Sequence, residues 1–154
     1  MLAPALVVRA DDKDLSALAA LRYRWRVGEE GESGRDLEEF ESEFRGWYAE
    51  HQKTHSAYLS FLDDVAVGCA WLFVVDRIPG PGRFVRRSGM LQSVYVRPEL
   101  RSTGIGTQLV RFIIDEAHAM DLDYLMVHPS TASFDFYRRL GFDESGKVLE
   151  LRFA

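Results

Sequence analysis

Apolar residues recur at two different periods along the chain, and the points where the period changes divide it into elements. Ala5-Leu-Val-Val-Arg9 reads as a first strand. Asp14 is placed to cap a helix running to about Val27, whose apolar stripe is Leu15, Leu18, Arg22 and Trp25. Arg22 falls on that stripe, so its guanidinium is expected to engage a partner inside the fold. Three glycines between 28 and 34 mark a loop. From Asp36 to His51 the spacing of Leu37, Phe40, Phe44, Trp47 and Tyr48 puts all five on one helical face, with acids on the other. The period then drops to two. Residues 56–62 and 65–75 read as a hairpin turning at Asp63-Asp64, with a bulge expected at Gly68.

Ile78-Pro-Gly-Pro-Gly82 breaks that pattern and opens a loop to about Ser88. A strand over 89–97, a helix over 104–119, a strand over 123–128, a short helix over 131–140 and a last strand over 147–153 complete the chain. The order β-α-α-β-β-β-α-β-α-β predicts an α/β fold. Its mixed, mostly antiparallel central sheet carries helices on both faces, because successive strands pair antiparallel whereas the β-α-β stretch over 89–128 needs a parallel crossover. The 154 residues suit a single domain spanning 1–154.

Charge changes this picture in one place. Residues 29–50 hold nine acids and two bases, a net of −7, so the rest of the chain carries +2 of the formal −5. A solvated helix face explains such a run, and a field that attracts a cationic amine is the sharper reading. No basic stripe with interleaved aromatics is present, so no nucleic-acid partner is expected. No apolar run approaches the roughly 18 residues of a membrane helix, and Met1 to Arg9 does not read as a signal peptide, so a cytoplasmic protein without a membrane partner is expected. The single cysteine, Cys69, lies in an apolar strand and reads as a buried free thiol.

The chemistry concentrates in Val94-Tyr-Val-Arg-Pro-Glu-Leu-Arg-Ser-Thr-Gly-Ile-Gly-Thr107. An apolar strand ends at Val96, Pro98 stops its ladder, and Arg101 supplies a fixed cation. Gly104 and Gly106 let a ligand approach the backbone, and a helix then starts with unpaired first-turn amides and a positive dipole end. Strand, cation, glycines and helix start in this order make a cradle for a diphosphate. No Gly-Lys-Ser/Thr follows, and the third glycine of a dinucleotide fingerprint would fall at Leu109, so neither of those phosphate motifs is present.

The pattern Val96-x-Pro98-x-x-Arg101-x-x-Gly104-x-Gly106 resembles the acetyl-CoA motif of the GNAT superfamily of N-acetyltransferases. Tyr137-Arg-Arg-Leu-Gly-Phe142 resembles that family's C-terminal signature, Val65-Ala-Val-Gly68 resembles its pre-motif strand, and the element order is similar along nearly the whole chain. Two departures stand out: Ser130 occupies a position where the family often has asparagine, and Met120-Asp121 follows the long helix where a glycine is usual.

The resemblance implies a GNAT-like acyl-CoA N-acyltransferase fold and an enzyme that moves an acetyl group from acetyl-CoA, with no metal, to a primary amine by direct attack. It implies that acetyl-CoA lies in a splay between the 89–97 and 123–128 strands. Backbone groups around Leu91 to Val96, with Val94, Tyr95 and Val96 among the cofactor contacts, would pair with the pantetheine amides and the thioester carbonyl, and an N–H near Val94 would stabilise the developing oxyanion. Arg101 and the amides of Ser102, Thr103, Gly104, Ile105, Gly106 and Thr107 would hold the diphosphate, and Ser130, Phe134 and Tyr137 would complete the cofactor site. Tyr137 matches the family's general acid.

The base is open: the motif strand carries Gln92 and Ser93 but no acid, which leaves Glu29 and Glu30 of the loop, His128, or deprotonation in bulk water. The acceptor would sit among residues 25–35, the first hairpin and residues 77–89, with Trp25, Trp71 and Phe73 as wall residues and Arg83, Arg86 and Arg87 as a basic cluster. A small-molecule amine is the expected acceptor, and a peptide amine or a non-catalytic CoA-sensing role are the alternatives. Dimers are common in the family, which leaves a homodimer open.

Overall fold

A computed structural model describes residues 4–153. Strands β1 (Leu6–Arg9), β2 (His55–Leu62), β3 (Val65–Asp76), β4 (Arg87–Val96) and β5 (Leu125–Val127) form one sheet in that order. The first three pairings are antiparallel and β4 with β5 is parallel. Helices α1 (Leu15–Tyr23) and α2 (Leu37–His51) cover one face; α3 (Ile105–Ala119) and α4 (Phe134–Arg139) cover the other.

The two-residue period of the central strands divides their side chains between two cores. Ala57, Leu59, Cys69 and Trp71 face α1 and α2, whereas Tyr58, Ala70 and Leu72 face α3, where Leu109, Val110 and Ile113 are fully buried. The β2–β3 hairpin turns at Asp63 and Asp64, both with positive φ, and its register slips between Ser60 and Phe61, which places the bulge beside Gly68 as the sequence predicts. Asp121, the residue standing where the family usually has glycine, takes φ 55°. That left-handed conformation is one that aspartate tolerates better than most side chains, so the chain still turns out of α3.

Two elements depart from the sequence pattern. The first helix does not run to Val27 as a regular α-helix. It passes at Arg24 into a π-helical segment, Arg24–Glu29, in which the Glu30 amide donates to the Trp25 carbonyl. The other correction concerns the last strand. Residues 147–153 alternate apolar and polar as a strand should, yet they form no ladder, and Leu149 and Phe153 are 98% and 93% exposed. Alternation encodes a strand face, but a strand also needs a neighbour for its amides and carbonyls, and among the described residues none lies beside this segment. The sheet therefore has five strands rather than six, and β5 is its edge.

β4 and β5 are joined at only three positions, Gly89↔Leu125, Met90↔Met126 and Leu91↔Val127. A Cβ on Gly89 would come within 2.8–2.9 Å of the side chains of Leu72, Leu122 and Leu125. Gly89→Ala is therefore expected to destabilise the fold by about 1–3 kcal/mol through overpacking, measurable by urea denaturation. An unchanged midpoint would show that the three leucines can yield.

Candidate active site

β4 carries the feature that shapes the site. Its register against β3 runs Cys69↔Tyr95 and then Trp71↔Gln92, so β4 holds one residue too many, and Ser93 and Val94 have no partner on β3. Ser93 absorbs the excess at φ 52°. A bulge reverses the facing of everything beyond it. Leu91 points toward α3, and Tyr95, four residues on, points toward α1 instead. At the same point β4 and β5 part, since no pairing extends past Leu91↔Val127.

On the α3 side the gap opens into a groove of about 700 Å³. Val94, Tyr95, Val96, Arg101, Ser102, Gly104, Gly106, Thr107, Ser130 and Tyr137 line it, together with Trp25 and Phe136. Gly104 lies at φ 92°, a conformation that a side chain would strain. Among the described residues the amides of Ser102 to Thr107 find no backbone acceptor; the first amide of the region to be taken is that of Gln108, by the Gly104 carbonyl, at 3.0 Å. These free donors at the positive end of a fifteen-residue helix, beside one arginine, fit a diphosphate.

Three of the expected cofactor residues stand outside the lining. Thr103 turns its hydroxyl back to the Leu100 carbonyl. Ile105 buries its side chain in the core and presents only its amide. Phe134 carries the Arg138 guanidinium over its ring, and Phe136 takes the place expected of it.

Arg101 does not float in the groove. Its Nε donates to the Val96 carbonyl at 2.9 Å, an Nη donates to Glu29 at 2.8 Å, and the guanidinium lies over the Tyr95 ring. Tyr95 also donates its hydroxyl to Glu29 and stacks on Trp25 at 5.4 Å. The π-helical segment brings this about: its wider turn carries both Trp25 and Glu29 to β4. Burial alone would raise the Glu29 carboxyl, but the Tyr95 hydroxyl and Arg101 outweigh it and hold the carboxyl below its ordinary value. Tyr95 is pushed up to about 12, by burial first and then by Glu29. Glu30 faces the other way, paired with Arg26 at 3.0 Å.

Tyr137 is 7% exposed and packs edge-on against Phe136 and Phe142. Burial pushes its hydroxyl up to about 12. His128, just past β5, is exposed. Cys69 is buried in the α1-side core with its thiol pushed up to about 12 by desolvation, so it holds its proton and has no nucleophilic role.

A second cavity, of about 430 Å³, lies on the α1–α2 side of the same bulge, and Gln92 and Ser93 form part of its wall. Phe40, Phe44, Trp47, Trp71 and His55 make most of the rest, and Arg22, Arg35 and Glu43 are its charged groups. The sequence marks Trp71 as a wall residue and puts Phe40, Phe44 and Trp47 on one face of a helix, but His55 and Gln92 join them only through the sheet register. Phe73 stacks behind His55 at 4.6 Å. Arg83 and Arg77 pair with Asp123, while Arg86 and Arg87 donate to the Ile78 and Met120 carbonyls, so this basic cluster ties its loop to the chain around β5 rather than facing the cavity.

Residues 13–142 match the family model described as the acetyltransferase (GNAT) family, and the chain belongs to that family. A curated relative, the L-methionine sulfoximine/L-methionine sulfone acetyltransferase of Pseudomonas aeruginosa, is 37% identical over 65 residues, which cover 40% of this chain and 38% of the relative. The match thus spans about two fifths of that relative's length. Among solved structures, a "predicted acetyltransferase with acetyl-CoA" from Clostridium acetobutylicum superposes with a TM-score of 0.77 at 21% identity, covering 96% of each chain. An aminoglycoside acetyltransferase from an uncultured soil sample, in complex with trehalose, gives 0.76 at 15% identity over 97% of this chain and 95% of its own. At these identities the likeness is one of fold. Among the described residues no helix is long and apolar enough to cross a membrane, and no cluster of three or more His, Cys, Asp or Glu could hold a metal ion.

Arg101→Ala and Gly104→Val are each expected to weaken CoA binding about tenfold or more, read by calorimetry, the first by removing a charge and the second by closing the left-handed turn. Affinities equal to that of the unaltered protein would remove the diphosphate from this cradle.

Proposed function

We propose that the protein transfers the acetyl group of acetyl-CoA to a primary amine of a small molecule by direct attack. The observation that carries this reading is the meeting of two cavities at one bulge. The groove with the free amides ends at Val94, and the aromatic cavity begins at Ser93. A donor held in the groove and an amine held in the cavity would meet across a single residue of β4, which supplies the proximity that direct transfer needs. The aromatic cavity is compact, which favours a small acceptor over an extended peptide.

Acetyl-CoA supplies an activated thioester; the chain's residues do the rest. Arg101 and the amides of Ser102 to Thr107 hold the diphosphate, and the Ser93–Val94 bulge turns backbone toward the reacting carbonyl, where an amide donor stabilises developing negative charge. Glu29 sets the position of Arg101 and shares its charge. A carboxylate held by Tyr95 and Arg101 is a weak base, so the amine enters already deprotonated by bulk water or by another group.

Tyr137 is the donor toward the leaving sulfur. A hydroxyl that ionises near 12 keeps its proton at neutral pH. An ordinary thiol ionises near ~8.5, so complete transfer to a thiolate is uphill and the hydroxyl acts chiefly by hydrogen bonding to the charge as it forms. Tyr137→Phe is expected to lower kcat about 10²-fold with little change in CoA affinity, in a thiol-release assay over a panel of small amines. In the unaltered enzyme the loss of this donor would begin only as pH nears 12, so activity should show no alkaline limb from it near pH ~10, where a free tyrosine ionises. A kcat equal to that of the parent would remove Tyr137 from the reaction, and CoA binding without turnover on any amine would favour a sensing role instead.

A homodimer has its support in the tail. Leu149, Leu151 and Phe153 form an exposed apolar row, and among the described residues the outer edge of β5 has no partner. A second copy offers both halves of that pairing. Sedimentation should show a dimer that Leu151→Lys dissociates; a monomeric parent protein at tens of micromolar would overturn it.

A further inference from the structure

The acidic run over 29–50 turns out not to face the acceptor cavity as free charge. Glu29 is taken by Arg101, Glu30 and Glu32 by Arg26, Glu41 by Arg45, and Glu43 by Arg35. The cavity's one carboxylate, Glu43, is therefore already matched by the cavity's own Arg35. Its aromatic wall adds no positive charge, since burial, and then the neighbouring His51, hold the His55 imidazole below its ordinary range and leave it neutral at pH 7.

Arg22 is the exception. It rises from the last turn of α1, half-buried, and among the described residues no carboxylate pairs with it. One Nη donates to the Ser93 hydroxyl at 3.1 Å, and the guanidinium lies 5.4 Å from the Trp25 ring. Desolvation first, and then Arg26, disfavour its charged form. A guanidinium offers five donors, and a neutral hydroxyl and an aromatic face leave most of them open toward the cavity. A half-buried cation that lacks its anion is costly unless a ligand brings one.

Resting on the acetyl-transfer reading above, we infer that the acceptor carries a carboxylate bound by Arg22, close to its amine, and an apolar or aromatic side chain: it is an amino acid. The spacing argues for a short link between the two groups. Arg22 bonds the very residue at which β4 bulges, so an anion on Arg22 and an amine beside Val94 are separated by about the width of one residue. The side chain then points away from the bulge, toward Phe44, Trp47 and Trp71, which offer a dry and flat surface. A net positive cavity also rejects polyamines and basic peptides by like-charge repulsion.

The test compares matched pairs that differ in the carboxylate alone: L-phenylalanine against 2-phenylethylamine, and L-leucine against 3-methylbutylamine. For the unaltered enzyme kcat/KM should favour the acid of each pair by about 10- to 100-fold, the worth of hydrogen bonds to a charged group. Arg22→Gln should bring that ratio near one, and Arg22→Lys should restore part of it, with CoA affinity and melting temperature serving as checks on folding. A loss of stability would slow both members of a pair and leave the ratio where it was, so the ratio reads recognition and not folding. Equal or reversed preference in the parent enzyme, or a ratio that survives Arg22→Gln, overturns the proposal. If no amine is acetylated at all, it is the transfer reading that fails. The carboxylate site is then judged by calorimetry of L-phenylalanine on the CoA complex, where binding lost in Arg22→Gln supports it and absent binding overturns it.

Discussion

One surplus residue in β4 governs the rest of the site. An antiparallel neighbour and a parallel one cannot both follow a strand that changes its facing midway, so β5 leaves at Leu91 while β3 stays. The parting makes the groove. The same bulge reverses the side chains beyond it, turning Tyr95 into the α1-side core, where it meets Trp25 and Glu29, and leaving Val94 against the α3 side. A flat β4 would have kept a closed sheet, buried Tyr95 toward α3 and left Arg101 with neither its aromatic platform nor its counter-ion.

The charged groups are arranged around that bulge in two different ways. On the groove side a strong cation is tempered, because Arg101 spends part of its charge on Glu29 and is fixed by the Val96 carbonyl. The free amides of the α3 start carry the remaining pull on an anion, and backbone amides are fixed in place at no side-chain entropy cost. On the side of the aromatic cavity the cation is left without a carboxylate among the described residues. Arg22 has a hydroxyl and an indole for company, and the proposed preference for a carboxylate rests on that imbalance. In the functional reading proposed above, each cavity seeks an anion, one a diphosphate and the other a carboxylate, with the backbone of β4 between them.

The sequence was legible wherever a residue acts through its neighbours along the chain. The turn proposed to hold a diphosphate is such a case: Pro98, Arg101, Gly104, Gly106 and the amphipathic run of α3 lie within one stretch, so their order specifies their local geometry. The position of Arg22 on an apolar stripe likewise foretold an internal partner. The aromatic cavity was only partly legible. Helical period gathers Phe40, Phe44 and Trp47, but it is silent on their meeting His55 from β2, Trp71 from β3 and Gln92 from β4. The role of Glu29 was hidden by the π-helical segment, which no simple period announces. The last strand failed for the opposite reason: its alternation is clear, but among the described residues it lies beside no strand, not even the open edge of β5.

Local pattern alone thus determined most of the elements, the mixed sheet and the glycine turn that opens α3, since each depends on backbone period, turn chemistry or a helix start that a short segment dictates by itself. Tertiary structure decided which face Tyr95 and Glu29 serve, where β4 and β5 part, and which charges remain uncompensated. Those outcomes depend on register between strands and on pairing between distant groups, and neither is written in any one segment of the chain.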